Sequence, residues 1–198
     1  QPVFTLKAEE AVCENGEVTL KMEQAANAEA IREVDWGSLS SENKKEITVA
    51  TTKAAGETET YTVSAKSINQ CVYTNTANVA IKANPSFSIQ GEEICENDYA
   101  IIELQSGSAD KYFVNDNEIT FNQGKWTDET SRRNSGVHTL SMTGKNYYTL
   151  SNNGTLTCEK TEDIIFNVKE LPDVKITAPN FLCINSTNAE LSVTAANK

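Results

Sequence analysis

Apolar and polar residues alternate along most of this chain. A period of two, with no sustained 3.6-residue stripe, is the signature of half-buried strands. Glu17-Val18-Thr19-Leu20-Lys21-Met22-Glu23 alternates throughout and sets Val18, Leu20 and Met22 on one face. Residues 59–65 do the same with Tyr61, Val63 and Ala65. Shorter strands are expected over 3–6, 31–36, 46–50 and 78–82, with turns at Cys13-Glu14-Asn15-Gly16 and Ala55-Gly56-Glu57 and a loop over 37–43. The alanine-rich stretch 25–30 is extended by no helical stripe and reads as a loop. Val34 and Trp36 share a face, and Trp36 is expected in the core, since a buried tryptophan on the third strand is a habit of β-sandwiches. Short strands with turn signals every 8–12 residues predict an antiparallel sandwich.

The same plan is written more than once. Residues 1–15, 84–97 and 171–185 each carry a proline, an alternating apolar segment, a polar turn and then Cys-x-Asn. The period of about 85 residues fits a small sandwich and exceeds most solenoid repeats. The expected organisation is therefore a first domain over 1–84, a second over 85–171, and the incomplete start of a third repeat over 172–198. Two strands of that third repeat, 174–177 and 189–194, cannot bury a face alone, so the natural chain is expected to continue beyond Lys198. In the second repeat Ala100, Ile102 and Leu104 take the roles of Val18, Leu20 and Met22. Residues 111–114 replace the Trp36 strand, and His138 stands where Tyr61 stands.

The five cysteines follow the repeat. Cys13, Cys95 and Cys183 are early in their repeats; Cys71 and Cys158 are late. The economical pairing is Cys13–Cys71 and Cys95–Cys158, one disulfide per sandwich, each worth about 4 kcal/mol in the chain-entropy model. Cys183 is then a free thiol whose late partner lies beyond the chain. Disulfides imply an oxidising compartment.

The second repeat departs from the first in two places. It carries about ten extra residues before its late cysteine, and Asn153-Gly154 between β-prone runs is a strong hairpin signal. This predicts an inserted hairpin over 145–157 that lengthens two strands and projects past the domain end, with Tyr147 and Tyr148 on opposite faces. The second departure, 122–135, reads as a polar loop holding Trp126. Exposed aromatics stack on sugars or anchor protein partners, so Trp126, Tyr147 and Tyr148 are the candidate ligand contacts.

The net charge of −11 opposes phosphate backbones, and nucleic acid is not an expected partner. Some carboxylates could instead hold Ca²⁺, the candidates being Asp110, Asp116 and Glu118 with Asn117 beside them, though no D-x-D-x-D-G loop frames them. No apolar run approaches the roughly 20 residues a membrane helix needs. No C-x-x-C pair occurs, and the lone His138 completes neither a zinc site nor a triad. Glu92-Glu93 and Asp116/Glu118 read as solvated strand faces, so no enzyme and no cofactor are expected. Asn153-Gly-Thr and Asn185-Ser-Thr match the N-glycosylation sequon.

The repeat pattern P-x-F-x-I…C-x-N, with Tyr61-Thr-Val-Ser-Ala65, Asn69-Gln70-Cys71 and Val79-Ala80-Ile81, resembles the tandem Ig-like/PKD-like repeats of Bacteroidetes secreted and cell-surface proteins. Residues 31–37, IREVDWG, are similar to the PKD W-D-F-G-D stretch; the second repeat has Tyr112-Phe113-Val114-Asn115 there. The resemblance implies an extracellular or outer-surface location and an adhesion, interaction or stalk role in a longer protein. It carries no catalytic residues. The alternative reading is a glycan-binding module using the three aromatic side chains above.

Overall fold

The computed structural model describes residues 3–177 and 192–196, and every regular element among them is a β-strand. The first seven are β1 (Phe4–Lys7), β2 (Ala11–Cys13), β3 (Glu17–Gln24), β4 (Ile31–Asp35), β5 (Glu46–Ala50), β6 (Thr58–Ser67) and β7 (Val72–Lys82). They form two sheets, ordered β1-β3-β5 and β2-β7-β6-β4. The chain crosses from one sheet to the other between β1 and β2, and β2 runs parallel to β7 while the neighbouring pairs are antiparallel. This is the strand order of an Ig-like sandwich, so the expected fold class holds.

Alternation decides which residues meet between the sheets. Val18, Leu20 and Met22 of β3 face Tyr61, Val63 and Ala65 of β6 across the core, joined by Phe4, Val34, Trp36, Val79 and Ile81. Burying each of the larger side chains contributes about 1.5–3 kcal/mol. Trp36 is 1% exposed, and its indole Nε1 donates to the Lys44 carbonyl at 2.8 Å, so the buried N–H is not orphaned. Asn75, on the inner side of β7, donates to the Phe4 carbonyl of the opposite sheet at 2.9 Å.

The second run of strands is β8 (Ser86–Gly91), β9 (Ile94–Cys95), β10 (Tyr99–Ser108), β11 (Lys111–Val114), β12 (Asn117–Ile119), β13 (Lys125–Arg132), β14 (Gly136–Thr149) and β15 (Thr155–Lys169). Their sheets are ordered β13-β10-β8 and β12-β11-β14-β15-β9, and β9 again runs parallel to β15. β16 (Asp173–Thr177) pairs antiparallel with β17 (Ser192–Ala196).

Compactness divides the chain along a different line from the expected 1–84 and 85–171. Unit 1 comprises Gln1–Phe87, Gly107–Phe113 and Thr143–Thr161; unit 2 comprises Ser88–Ser106, Val114–Met142 and Glu162–Lys198. Residues 145–157 do form a β-hairpin, and it lies in unit 1 with the first repeat's strands. Phe87 is 6% exposed and is gripped there by two glycines. A Cβ on Gly107 would stand 2.3 Å from the Phe87 Cβ, and one on Gly144 would stand 2.5 Å from its ring.

Unit 2 corrects the expected polar loop over 122–135. Residues Lys125–Arg132 are a strand, with Ile102 opposite Trp126 and Ala100 opposite Asp128. The segment reads as polar because one of its inward positions is an acid. Asp128 is 3% exposed, ion-paired with Arg133, and accepts from the Thr130 amide at 3.1 Å and hydroxyl at 2.5 Å. A buried carboxylate satisfied in this way takes the place of an apolar side chain in the alternation.

Burial pushes the Tyr61 phenol up to about 12, with the neighbouring Glu59 adding to the shift. The folded state thus holds its proton more tightly than the unfolded chain, whose tyrosines titrate near 10. Its contribution to stability is complete below about pH 10 and is lost as pH rises towards 12. Urea midpoints measured from pH 8 to 12 are expected to fall over that window, and Tyr61→Phe is expected to flatten the fall.

Candidate functional site: the stapled hairpin

Cys13 is bonded to Cys158, with a Cα–Cα distance of 5.5 Å and a sequence separation of 145. Cys71 and Cys95 are free and exposed. The expected pairing of Cys13 with Cys71 and of Cys95 with Cys158 is therefore corrected, and the parallel pairing of β2 with β7 gives the reason. That register sets Cys13 opposite Lys82, at the end of β7, whereas Cys71 immediately precedes β7's first residue. Eleven residues of strand at 3.3 Å each put the two cysteines roughly 35 Å apart, far beyond the roughly 7 Å a disulfide can bridge. The same count along β15 parts Cys95, opposite Lys169, from Cys158. One disulfide per sandwich does not hold: the bond observed belongs to unit 1. Cys183 lies outside the described residues.

The hairpin that carries Cys158 is built by its turn and held by the first repeat. Asn153 takes φ 61°, the Leu150 amide donates to the Gly154 carbonyl at 2.9 Å, and the Gly154 amide donates to Asn152 Oδ1 at 2.8 Å. Asn tolerates this left-handed conformation better than most residues, so Asn-Gly marks the turn. Ser151 then grips Glu10: its amide donates to both carboxylate oxygens at 3.0 and 2.9 Å, and its hydroxyl to Oε2 at 2.5 Å. Tyr148 donates its hydroxyl to the Ala83 carbonyl at 2.9 Å, and the Lys82 ammonium sits 5.6 Å from its ring centroid. At the hairpin's base, Asp110 accepts from the Tyr147 amide at 2.8 Å, and its own amide donates to the Lys145 carbonyl at 3.0 Å.

The three candidate aromatics have different fates. Tyr148 is half-buried and engaged at both ring and hydroxyl; Tyr147, on the opposite face, is 38% exposed. Trp126 is half-buried on β13 in unit 2. The calcium candidates are placed as individual structural groups. Asp110 ties the hairpin base, as above. Asn115 and Asp116 both take positive φ, 49° and 63°, the backbone of a type I′ turn that favours Asn and Asp. Glu118 follows on β12. Among the described residues no three of His, Cys, Asp and Glu stand close enough to hold a metal ion. His138 stacks on Phe166 with centroids 5.7 Å apart, and its Nε2 lies 2.8 Å from the Asn134 carbonyl. Glu92 and Glu93 are ion-paired with Lys125 and Lys169.

A shallow cleft of about 330 Å³ lies in unit 1, lined by Asp35, Trp36, Gly37, Ser38, Leu39, Thr60, Thr62 and Ser64. Its floor is the outer side of β6, where Thr60 donates to Asn78 at 2.7 Å and Ser64 and Thr74 lie 3.0 Å apart. Asp35 is turned by its bond from the Gly37 amide at 2.8 Å. The chemistry available there is hydrogen bonding by hydroxyls and one carboxylate. Asn43 closes the adjoining edge strand, accepting from the Val34 amide at 2.7 Å and donating to the Arg32 carbonyl at 3.3 Å. A side-chain amide thereby occupies backbone groups that would otherwise template another strand.

No family model matches the chain, and no curated protein matches it. Solved structures similar to it include Clostridium thermocellum CbhA fibronectin(III)-like modules, at 13% identity and TM-score 0.35 over 85% of this chain and 95% of that one. Murine CEACAM1b is similar at 11% identity and TM-score 0.29 over 85% of this chain and 100% of that one. Titin domains I67–I69 are similar at 15% identity and TM-score 0.31 over 98% of this chain and 76% of that one. The fold rests on the strand order given above. Among the described residues no helix is long and apolar enough to cross a membrane.

The hydrogen bonds from the Ser151 hydroxyl and amide hold the Glu10 carboxyl below its ordinary value. Its contribution to hairpin docking is present above the ordinary glutamate pKa of about 4.3 and is lost as pH falls through the lowered value. Amide hydrogen exchange at Ser151, corrected for intrinsic rate, is expected to quicken several-fold on acidification through that range. Glu10→Gln is expected to abolish the pH dependence and leave the exchange fast at neutral pH.

Proposed function

We propose that this chain is a non-enzymatic extracellular or cell-surface Ig-like module, serving as a stalk or interaction segment of a longer protein. The observation that carries the reading is the Cys13–Cys158 bond. It closes a chain separation of 145 residues within one compact unit. A sequence-inserted hairpin, Glu10, Ala83 and the disulfide are all spent on bracing the module. A spacer must keep its length under tension, and a covalent short cut from Cys13 to Cys158 takes the residues between them off the load path. The oxidising compartment that favours such a bond fits a secreted or surface location, and the acidic surface argues against nucleic acid as a partner. The Bacteroidetes Ig-like/PKD-like resemblance points the same way, and the partner on this reading is a protein or glycan surface. The hydroxyl-lined cleft beside Asp35 offers polar contacts on unit 1. Glycan binding, the second reading, is favoured by Tyr147, whose ring is exposed while Tyr148 is committed to the scaffold.

Pulling the chain from its two ends by single-molecule force spectroscopy tests the spacer reading. A separation of 145 residues conceals roughly 500 Å of contour at 3.3–3.6 Å per residue. The oxidised module is expected to extend by that much less than the reduced one. Equal extension in both states would remove the mechanical role.

A further inference from the structure

The observed disulfide joins an early cysteine of one repeat to the late cysteine of the next. Cys95 repeats the backbone setting of Cys13. β2 sets Cys13 opposite Lys82, and β9 sets Cys95 opposite Lys169, both in parallel pairings. The preceding residues, Val12 and Ile94, are each 7% exposed. The following amides, of Glu14 and Glu96, each donate to the facing lysine's carbonyl at 2.8 Å. Each cysteine carbonyl then accepts an amide three residues on, from Gly16 at 3.0 Å and Asp98 at 3.1 Å, around an Asn at φ 59° and 68°. Cys71 likewise corresponds to Cys158, since each stands eleven residues before its lysine, Lys82 or Lys169. Yet Cys158 is fully buried in its bond, whereas Cys71 and Cys95 are exposed thiols. Cys71 is flanked by Ile68 and Val72, exposed by 58% and 60%, a bare apolar margin at the β6–β7 turn.

We propose that Cys95 and Cys71 are the two halves of a head-to-tail staple between modules: Cys95 of one copy of this chain bonds Cys71 of a second copy, repeating the early-to-late rule of Cys13–Cys158. The two thiols form one disulfide and release two protons, and their two electrons reduce a small-molecule or protein disulfide to two thiols. A single Cys95–Cys71 bond leaves one of these thiols free on each copy, so the contact repeats head to tail as an open chain; two reciprocal bonds would instead close a symmetric dimer. The inference rests on the extracellular spacer reading for its oxidising surroundings.

Its test uses the full chain carrying Cys183→Ser, so that the two described thiols are the only free ones. On incubation with oxidised glutathione, a ladder of disulfide-linked oligomers is expected on a non-reducing gel, with a Cys71–Cys95 peptide found by mass spectrometry. Cys71→Ser and Cys95→Ser are each expected to stay monomeric, and an equal mixture of the two is expected to give one dimer band and no higher species. Symmetric Cys71–Cys71 or Cys95–Cys95 dimers, or glutathione-capped monomer alone, would overturn the proposal. A chain that forms no ladder but still shows the shortened extension under force loses this inference and keeps the spacer reading.

Discussion

The parallel pairing of a short strand with the last strand of its repeat governs most of what is distinctive here. β2 beside β7 and β9 beside β15 place each early cysteine at the far end of a long strand. The late cysteine of the same repeat begins or interrupts that strand eleven residues away. Extended backbone cannot fold back to join them, so a staple within the repeat is excluded by strand length alone. What can reach Cys13 is the hairpin inserted in the second repeat. Its ten additional residues lengthen β14 and β15 to 14 and 15 residues. Cys158, Tyr148 and Ser151 then meet Cys13, Ala83 and Glu10 in unit 1.

The energetics follow from which state the bond constrains. A loop this long removes about 4–5 kcal/mol of chain entropy from the unfolded ensemble in the simplest model. The polar contacts around it are exposed, and each adds little alone. Their value is geometric: they fix the hairpin so that Cys158 is presented, buried, to Cys13. The same economy of polar groups recurs in unit 2, where Arg133 and Thr130 hold Asp128 at a position the core would ordinarily give to an aliphatic side chain.

Much of the fold was legible in the chain. Alternation at 17–23 and 59–65 located β3, β6 and their core residues, and Trp36 is in the core as its place beside Val34 implied. Asn153-Gly154 marked the hairpin turn. The rest failed for identifiable reasons. β13 hid behind Asp128, because hydropathy cannot tell a satisfied buried acid from a solvated one. The cysteine pairing failed because spacing along a sequence says nothing of spacing along a strand. The conflict appears only once the parallel register sets Cys13 beside Lys82. Asp110, Asp116 and Glu118 are near in sequence, but among the described residues no three of His, Cys, Asp and Glu stand close enough to hold a metal ion, and Asp110 accepts from the Tyr147 amide.

One covalent bond, Cys13–Cys158, ties the inserted hairpin to the first repeat, and a non-reducing proteolytic digest analysed by mass spectrometry reads that bond directly. For the monomer, with free thiols blocked at acid pH before digestion, the expected result is a linked pair of peptides containing Cys13 and Cys158, with Cys71 and Cys95 both recovered in blocked form. Peptides linking Cys13 to Cys71, or Cys95 to Cys158, would contradict it.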